Sequence, residues 1–255
     1  MVITTAEETR RSYVLPPGRI VRRAREWWLY DQAGARYIDF WQADGSAFLG
    51  HRPRGLGRLV EAEIDRGLWA PVPTAWPGRL ERALERLAAV AELPALIPIN
   101  GRSPAEHLDS RRWLPLCDPS DRPSGGAPPT VVVPVPGVTL GSTWEFSEIS
   151  PLVVAALTRM TLALADYVSD EAARERVACA EELSVPPGYR RSGVWLIPLE
   201  EAPRPDRAAW QTMRTAAAER GILLPPDGVT PLVIPGELTR RDSERWKGLV
   251  HDWPR

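Results

Sequence analysis

One internal amine is available for covalent chemistry. Lys247 is the single lysine among 32 basic side chains, so any reaction that forms or breaks a bond to a lysine amine has one candidate. It follows Trp246 in the last helical run, where water and the helix dipole favour a cation, and it reads as a solvated helix-end residue. Arginine cannot take its place, because the guanidinium stays protonated and is a poor nucleophile. His107 follows Glu106, with Asp109 and Cys117 nearby, but this spacing fits no established metal-ligand pattern, and no metal is expected. His251 falls in the terminal turn and reads as solvated. Acids such as Glu106 and Asp118 have no paired base and nucleophile to work with. No GxSxG, Walker loop, HExxH or GxGxxG occurs, so the common hydrolase, nucleotide and zinc-protease readings lack their minimal parts.

Composition narrows the partners. The net charge is -1, which supplies no field that would draw in nucleic acid or an anionic membrane surface. Cys117 and Cys179 stand far apart with no CxxC, which suits a reducing compartment. The N-terminal residues lack a basic and an apolar leader region, and no stretch reaches the roughly 18 apolar residues of a membrane span. A cytoplasmic protein with neither nucleic-acid nor membrane partner is expected. The 11 tryptophans fall mostly on predicted elements or their ends, where core or interface packing is their usual role.

The elements that would position these residues are legible in outline. Asp31-Gln32-Ala33-Gly34 is a turn-forming group between two β-rich runs, Trp27–Tyr30 and Ala35–Phe40, and predicts a hairpin. Leu56, Leu59, Val60 and Ile64 recur at helical spacing, as do Leu80, Leu84, Leu87 and Ala91 behind Pro77. From Trp113 to Gly137 prolines interrupt almost every regular element and predict loop or linker, with Thr130–Val133 as a strand at a sheet edge. Ser150-Pro151 reads as an N-cap and first-turn proline, opening a helix whose apolar face runs from Val153 to Val168. A helix to about Leu183, a strand at Gly193–Leu199, a helix at Asp206–Arg220 and short strands at 222–224 and 232–234 follow. The last helix opens at Thr239, with Asp242 where a capping box places an acid. The tail is a β-α-β-β-α string, and the fold class expected is α+β.

With the elements placed, Leu29-Tyr30-Asp31, Gly34 and Tyr37-Ile38-Asp39-Phe40, followed by Leu49-Gly50-His51-Arg52-Pro53, resemble the N-terminal signature of class III aminotransferases. This is the pyridoxal-phosphate family that includes glutamate-1-semialdehyde aminomutase. Gly141–Trp144 with Ser150–Leu157, Arg191–Leu196, Gly221–Pro225 and Thr239–Asp242 resemble the family's C-terminal half in order and spacing. Together the resemblance covers residues 15 to 93 and 137 to 252. It implies that His51 is a packed, hydrogen-bonded structural residue. It also implies that Ser103, in a worn remnant of the phosphate loop at Asn100–Glu106, and Thr143 mark a vestigial cofactor-phosphate site. Such a helix-entry loop can still take an anion, although Pro104 removes a donor and Glu145 and Glu148 repel phosphate.

The middle departs from the family. The resemblance implies a large domain there, carrying an aspartate for the pyridine nitrogen and a lysine for the internal Schiff base. Only 39 residues lie between Ser103 and Thr143, and one βαβ unit takes about 30. The expected organisation is an N-terminal hairpin-and-helix segment at 1–93, a Pro-rich remnant or linker at 94–137, and a C-terminal helix with a small-domain-like segment at 138–255. The expected function is non-catalytic binding or scaffolding with no cofactor. Loss of the large domain would uncover apolar surface, so a homodimer or a protein partner such as a full-length aminotransferase is expected. The alternative is an enzyme or anion-binding protein that uses the residual pocket without a lysine adduct.

Overall fold

The computed structural model describes residues 13–45, 47–92, 97–98, 112–118, 130–131 and 150–253. The chain divides into two compact units, Met1–His51 with Arg176–Arg255, and Arg52–Glu175.

The first unit begins with an antiparallel meander, β1 (Val21–Arg25), β2 (Trp28–Asp31) and β3 (Arg36–Asp39), in which Trp28 pairs with Ile38. Its turn is built as the sequence predicts. Asp31 Oδ1 accepts from the amides of Ala33 (2.9 Å) and Ala35 (2.8 Å), and Gly34 takes the left-handed φ of 83° that closes the loop. After β3 a single helical turn, α1 (Gln42–Gly45), leads away; later come α5 (Glu171–Glu181), which belongs to this unit from Arg176 on, β7 (Tyr189–Ser192), β8 (Trp195–Pro198) and α6 (Arg207–Glu219). The chain then adds β9 (Ile222–Leu223), β10 (Leu232–Val233) and α7 (Arg240–His251).

The tail strands divide between two sheets. β9 lies parallel to β3 and completes the order β1-β2-β3-β9, whereas β10 pairs with β8 in the order β10-β8-β7. Pro225 and Pro226 end β9 and turn the chain out of the first sheet before β10 forms. The interior is aromatic: Phe40 stacks on Trp246 at 4.2 Å, and Trp253 meets Trp246, Trp210 and Tyr189 edge-on. At Thr239 the capping box is present in both directions, its side chain accepting from the Asp242 amide and the Asp242 carboxylate accepting from the Thr239 amide.

The second unit holds α2 (Leu56–Asp65), α3 (Trp76–Val90) and α4 (Pro151–Val168), with α2 and α3 both packed on α4. Pro77 sits in the first turn of α3. By length and composition α4 could cross a membrane, the one described helix of which this is true; here Val154, Leu157 and Leu164 are buried within the fold. Two sequence expectations need correction. Ser150 precedes α4 but makes no side-chain cap, and its Oγ is buried without a partner among the described residues. Thr130–Val131 is not an edge strand: as β6 it lies between β4 (Ile97–Pro98) and β5 (Arg112–Trp113), parallel to both. A short β-branched run pairs wherever two partners are offered. Val132 and Val133 lie outside the described residues.

Candidate functional site

A buried polar cluster in the first unit gathers on Asp39 at the end of β3. Its carboxylate is fully buried. Oδ1 accepts from the amides of Trp41 (2.9 Å) and Gln42 (2.8 Å). Oδ2 accepts from the Tyr13 hydroxyl (2.6 Å) and from His51 Nε2 (2.9 Å). A carboxylate oxygen accepts, so this contact is a hydrogen bond with the imidazole proton on Nε2, the nitrogen that faces Asp39. Four donors saturate Asp39, which ties the strand end, the following turn and His51 into one knot.

Gln42 extends this knot. Its side-chain amide donates to the carbonyls of Asp39 (3.3 Å) and Val233 (3.2 Å) and so spans from β3 to β10. Its Oε1 is buried with no partner among the described residues. Gln42 and Ala43 both have left-handed backbones, at φ 51° and 47°, which costs on the order of 1 kcal/mol each for residues with a Cβ and is held only by such over-determined packing.

A second buried polar side chain is Arg176. Its Nε and one terminal nitrogen donate to the carbonyl of Ile234 (3.1 and 2.6 Å), and the other donates to that of Phe48 (2.8 Å). The guanidinium lies over the Phe48 ring at 4.1 Å and the Trp27 ring at 5.3 Å. Neither Asp39 nor Arg176 was singled out as a buried group by sequence reasoning. Signals existed: Asp39 interrupts the apolar pair Ile38 and Phe40, and Arg176 falls between buried Ala173 and Ala180 at helical spacing.

The residues singled out for chemistry fare differently. Ser103, Thr143, Glu106, His107 and Asp109 lie outside the described residues. Asp118 and His251 are exposed and Cys117 is half-buried; among the described residues no group of three potential metal ligands forms. Lys247 stands on α7 with its side chain 53% exposed and its Nζ 3.6 Å from the Glu244 carboxylate one turn earlier. His51, by contrast, is drawn into the hydrogen-bonded cluster on Asp39.

Comparison with solved structures decides the architecture. An acetylornithine aminotransferase from Elizabethkingia anophelis superposes at a TM-score of 0.50 and 11% identity, over 94% of each chain. An omega-transaminase from Sphaerobacter thermophilus does so at 0.51 and 11%, over 94% of this chain and 91% of its own. The fold is that of the class III aminotransferases. A glutamate-1-semialdehyde aminomutase from Pseudomonas aeruginosa shares it at 0.51 and 14%, over 92% of this chain and 87% of its own. Within this aminotransferase fold the hairpin, the Asp39 knot and the capped last helix occupy the segments on which the sequence resemblance rests. No family model matches the chain. Uncharacterized proteins of Borreliella burgdorferi and Treponema pallidum match 57 residues at 42% identity and 64 residues at 36%, or 22% and 25% of this chain. The matched stretch spans 21% of each of those relatives.

Proposed function

We propose that this chain is a non-catalytic, aminotransferase-like binding or scaffold protein, acting as a homodimer or with a protein partner in a reducing, cytoplasmic setting. The observation that carries this reading is the placement of Lys247. Covalent pyridoxal-phosphate chemistry needs an enclosed amine that can lose its proton. The sole lysine amine of this chain is half in water and lies 3.6 Å from the Glu244 carboxylate, on an open helix surface rather than in an enclosed site. The residues present therefore do not fit a covalently held cofactor, and no step is assigned to one. Cys117 and Cys179 are both thiols rather than halves of a disulfide, which suits the reducing setting.

The test is direct. Purified chain incubated with pyridoxal phosphate is expected to show no protein-bound absorbance above about 380 nm after desalting, the region where a conjugated lysine adduct of that cofactor absorbs. After borohydride reduction, mass spectrometry should find no adduct on Lys247. A stoichiometric adduct at Lys247, abolished by Lys247→Ala, would return the chain to the catalytic class.

A further inference from the structure

Four arginines of the second unit gather without a counter-charge. Arg52, Arg54 and Arg58 are exposed in the loop before α2 and in its first turn, and Arg159 reaches that loop from α4. Arg159 Nη2 donates to the Arg54 carbonyl at 3.1 Å. The approach is so close that a Cβ on Gly55 would lie 3.1 Å from the same nitrogen, and Gly55 holds the left-handed φ of 82° that carries the chain past it. A guanidinium presents several N–H donors in a rigid fork, so Arg159 is fixed in place by one bond with further donors to offer. Among the described residues no carboxylate pairs with any of the four. Arg66 and Arg86 of the same unit do pair, with Glu63 and Asp166, so acids are at hand and stand elsewhere.

The backbone adds donors of the same sense. Gly55 supplies no side-chain cap, and the first turn of α2 holds no acid. The amides of Leu56 and Leu59 reach the carbonyls of Pro53 and Gly55, whereas those of Gly57 and Arg58 have no acceptor among the described residues. A Cβ on Gly57 would meet nothing within 4 Å, which leaves the approach open. Charge sets the size of what fits. Glu61 and Asp65, both exposed, stand one and two turns beyond Arg58 and would repel a polyanion laid along the helix. The patch therefore suits a compact anion rather than a nucleic-acid strand. A carboxylate brings a single charge to these guanidinium groups, whereas a phosphomonoester brings about two at neutral pH and three acceptor oxygens, the geometry that arginine forks match best.

We propose that the Arg52–Arg58 loop and Arg159 bind the phosphate group of a small, soluble phosphomonoester. This goes beyond the binding reading above without resting on it, since an adduct at Lys247 would overturn that reading and leave these arginines untouched.

The probe is glycerol 3-phosphate, titrated into the full chain by calorimetry at fixed ionic strength. Wild type is expected to bind at a single site, and more weakly at pH 5.5 than at pH 7.5, because a phosphomonoester loses its second charge near about pH 6 while arginine does not titrate there. Arg159→Gln should weaken binding about tenfold. Arg58→Gln should weaken it by a similar factor and, at an exposed side chain, leave the melting temperature unchanged, which separates lost binding from lost folding. Acetate should bind about tenfold more weakly than the ester. A wild type that gives neither heat nor a rise in melting temperature at millimolar ester overturns the proposal. So does undiminished binding by the Arg58→Gln, Arg159→Gln double variant, which would put the anion elsewhere. Association with phosphatidylcholine vesicles doped with phosphatidic acid, without any response to glycerol 3-phosphate, would overturn it as well and assign the patch to a lipid surface.

Discussion

Replacing Arg176 tests what holds the first unit together, and the two obvious replacements should rank against chemical similarity. Arg176→Met keeps much of the apolar stem and removes the charge. The Phe48 carbonyl then retains the Trp27 indole, 3.2 Å away, but the Ile234 carbonyl loses both of its guanidinium donors. A stranded buried carbonyl costs about 1–3 kcal/mol, partly offset because no cation has to be desolvated. A net loss of about 2 kcal/mol is expected. Arg176→Lys keeps the cation in the same aromatic surroundings, yet a single ammonium cannot span Phe48 and Ile234 as the fork does. An imperfectly satisfied buried charge costs about 3–5 kcal/mol, a large part of the 5–15 kcal/mol that holds a typical domain. Urea unfolding followed by tryptophan fluorescence reads this directly. With a slope of about 1–3 kcal/mol/M, the midpoint should fall by roughly 1 M for methionine and about twice that for lysine. A lysine variant as stable as wild type, or more stable than the methionine variant, refutes the reasoning.

Gly236→Ala should destabilise by about 1–3 kcal/mol, because its Cβ would overlap the Trp27 ring; an unchanged melting temperature would show that the ring is free to move. Gly248→Ala, inside α7 with nothing within 4 Å, should instead stabilise by about 0.5–1 kcal/mol, read in the same thermal scan. Burial pushes the Asp31 carboxyl up, but the Ala35 amide, the Tyr37 hydroxyl, Arg19 and the Ala33 amide together hold it below its ordinary 3.8. A carboxyl depressed in the folded state stabilises fully above its unfolded value, and that contribution is lost as pH falls through the folded one. Asp31→Asn should therefore flatten the acid limb of urea midpoint against pH below about 4, and an unaltered limb would assign acid sensitivity to another carboxylate.

The parts of the fold legible in sequence are those where local chemistry and packing agree. The Asp31–Gly34 turn, the helices behind Pro77 and Pro151 and the capping box at Thr239 each satisfy a local rule and recur in the structure. β1 went unseen because Val-Arg-Arg-Ala-Arg has no apolar alternation; it is a charged, bulged outer strand of its sheet, the form in which edges resist unwanted pairing. The division of β9 and β10 between sheets is non-local, since two fully buried dipeptides carry no mark of their partners. The cap expected of Ser150 failed because a preceding serine licenses a side-chain hydrogen bond without compelling one.

The candidate site divides along the same line. The signature residues that carried the resemblance do structural work here: Asp31 closes the hairpin, Asp39 gathers four donors, and His51 is one of them. Each would be retained by a chain that needed only to fold, because removing any of them strands buried polar groups whatever chemistry takes place elsewhere. A motif kept by packing testifies to architecture. Catalysis by this fold class makes a different demand, an amine that is enclosed and free of a stabilising anion, and no packing requirement would keep such a lysine in place. Lys247, exposed and paired on α7, meets neither condition. A fold-like signature at both ends of the chain therefore speaks for the architecture and not for a covalent centre, since the two are maintained by different forces.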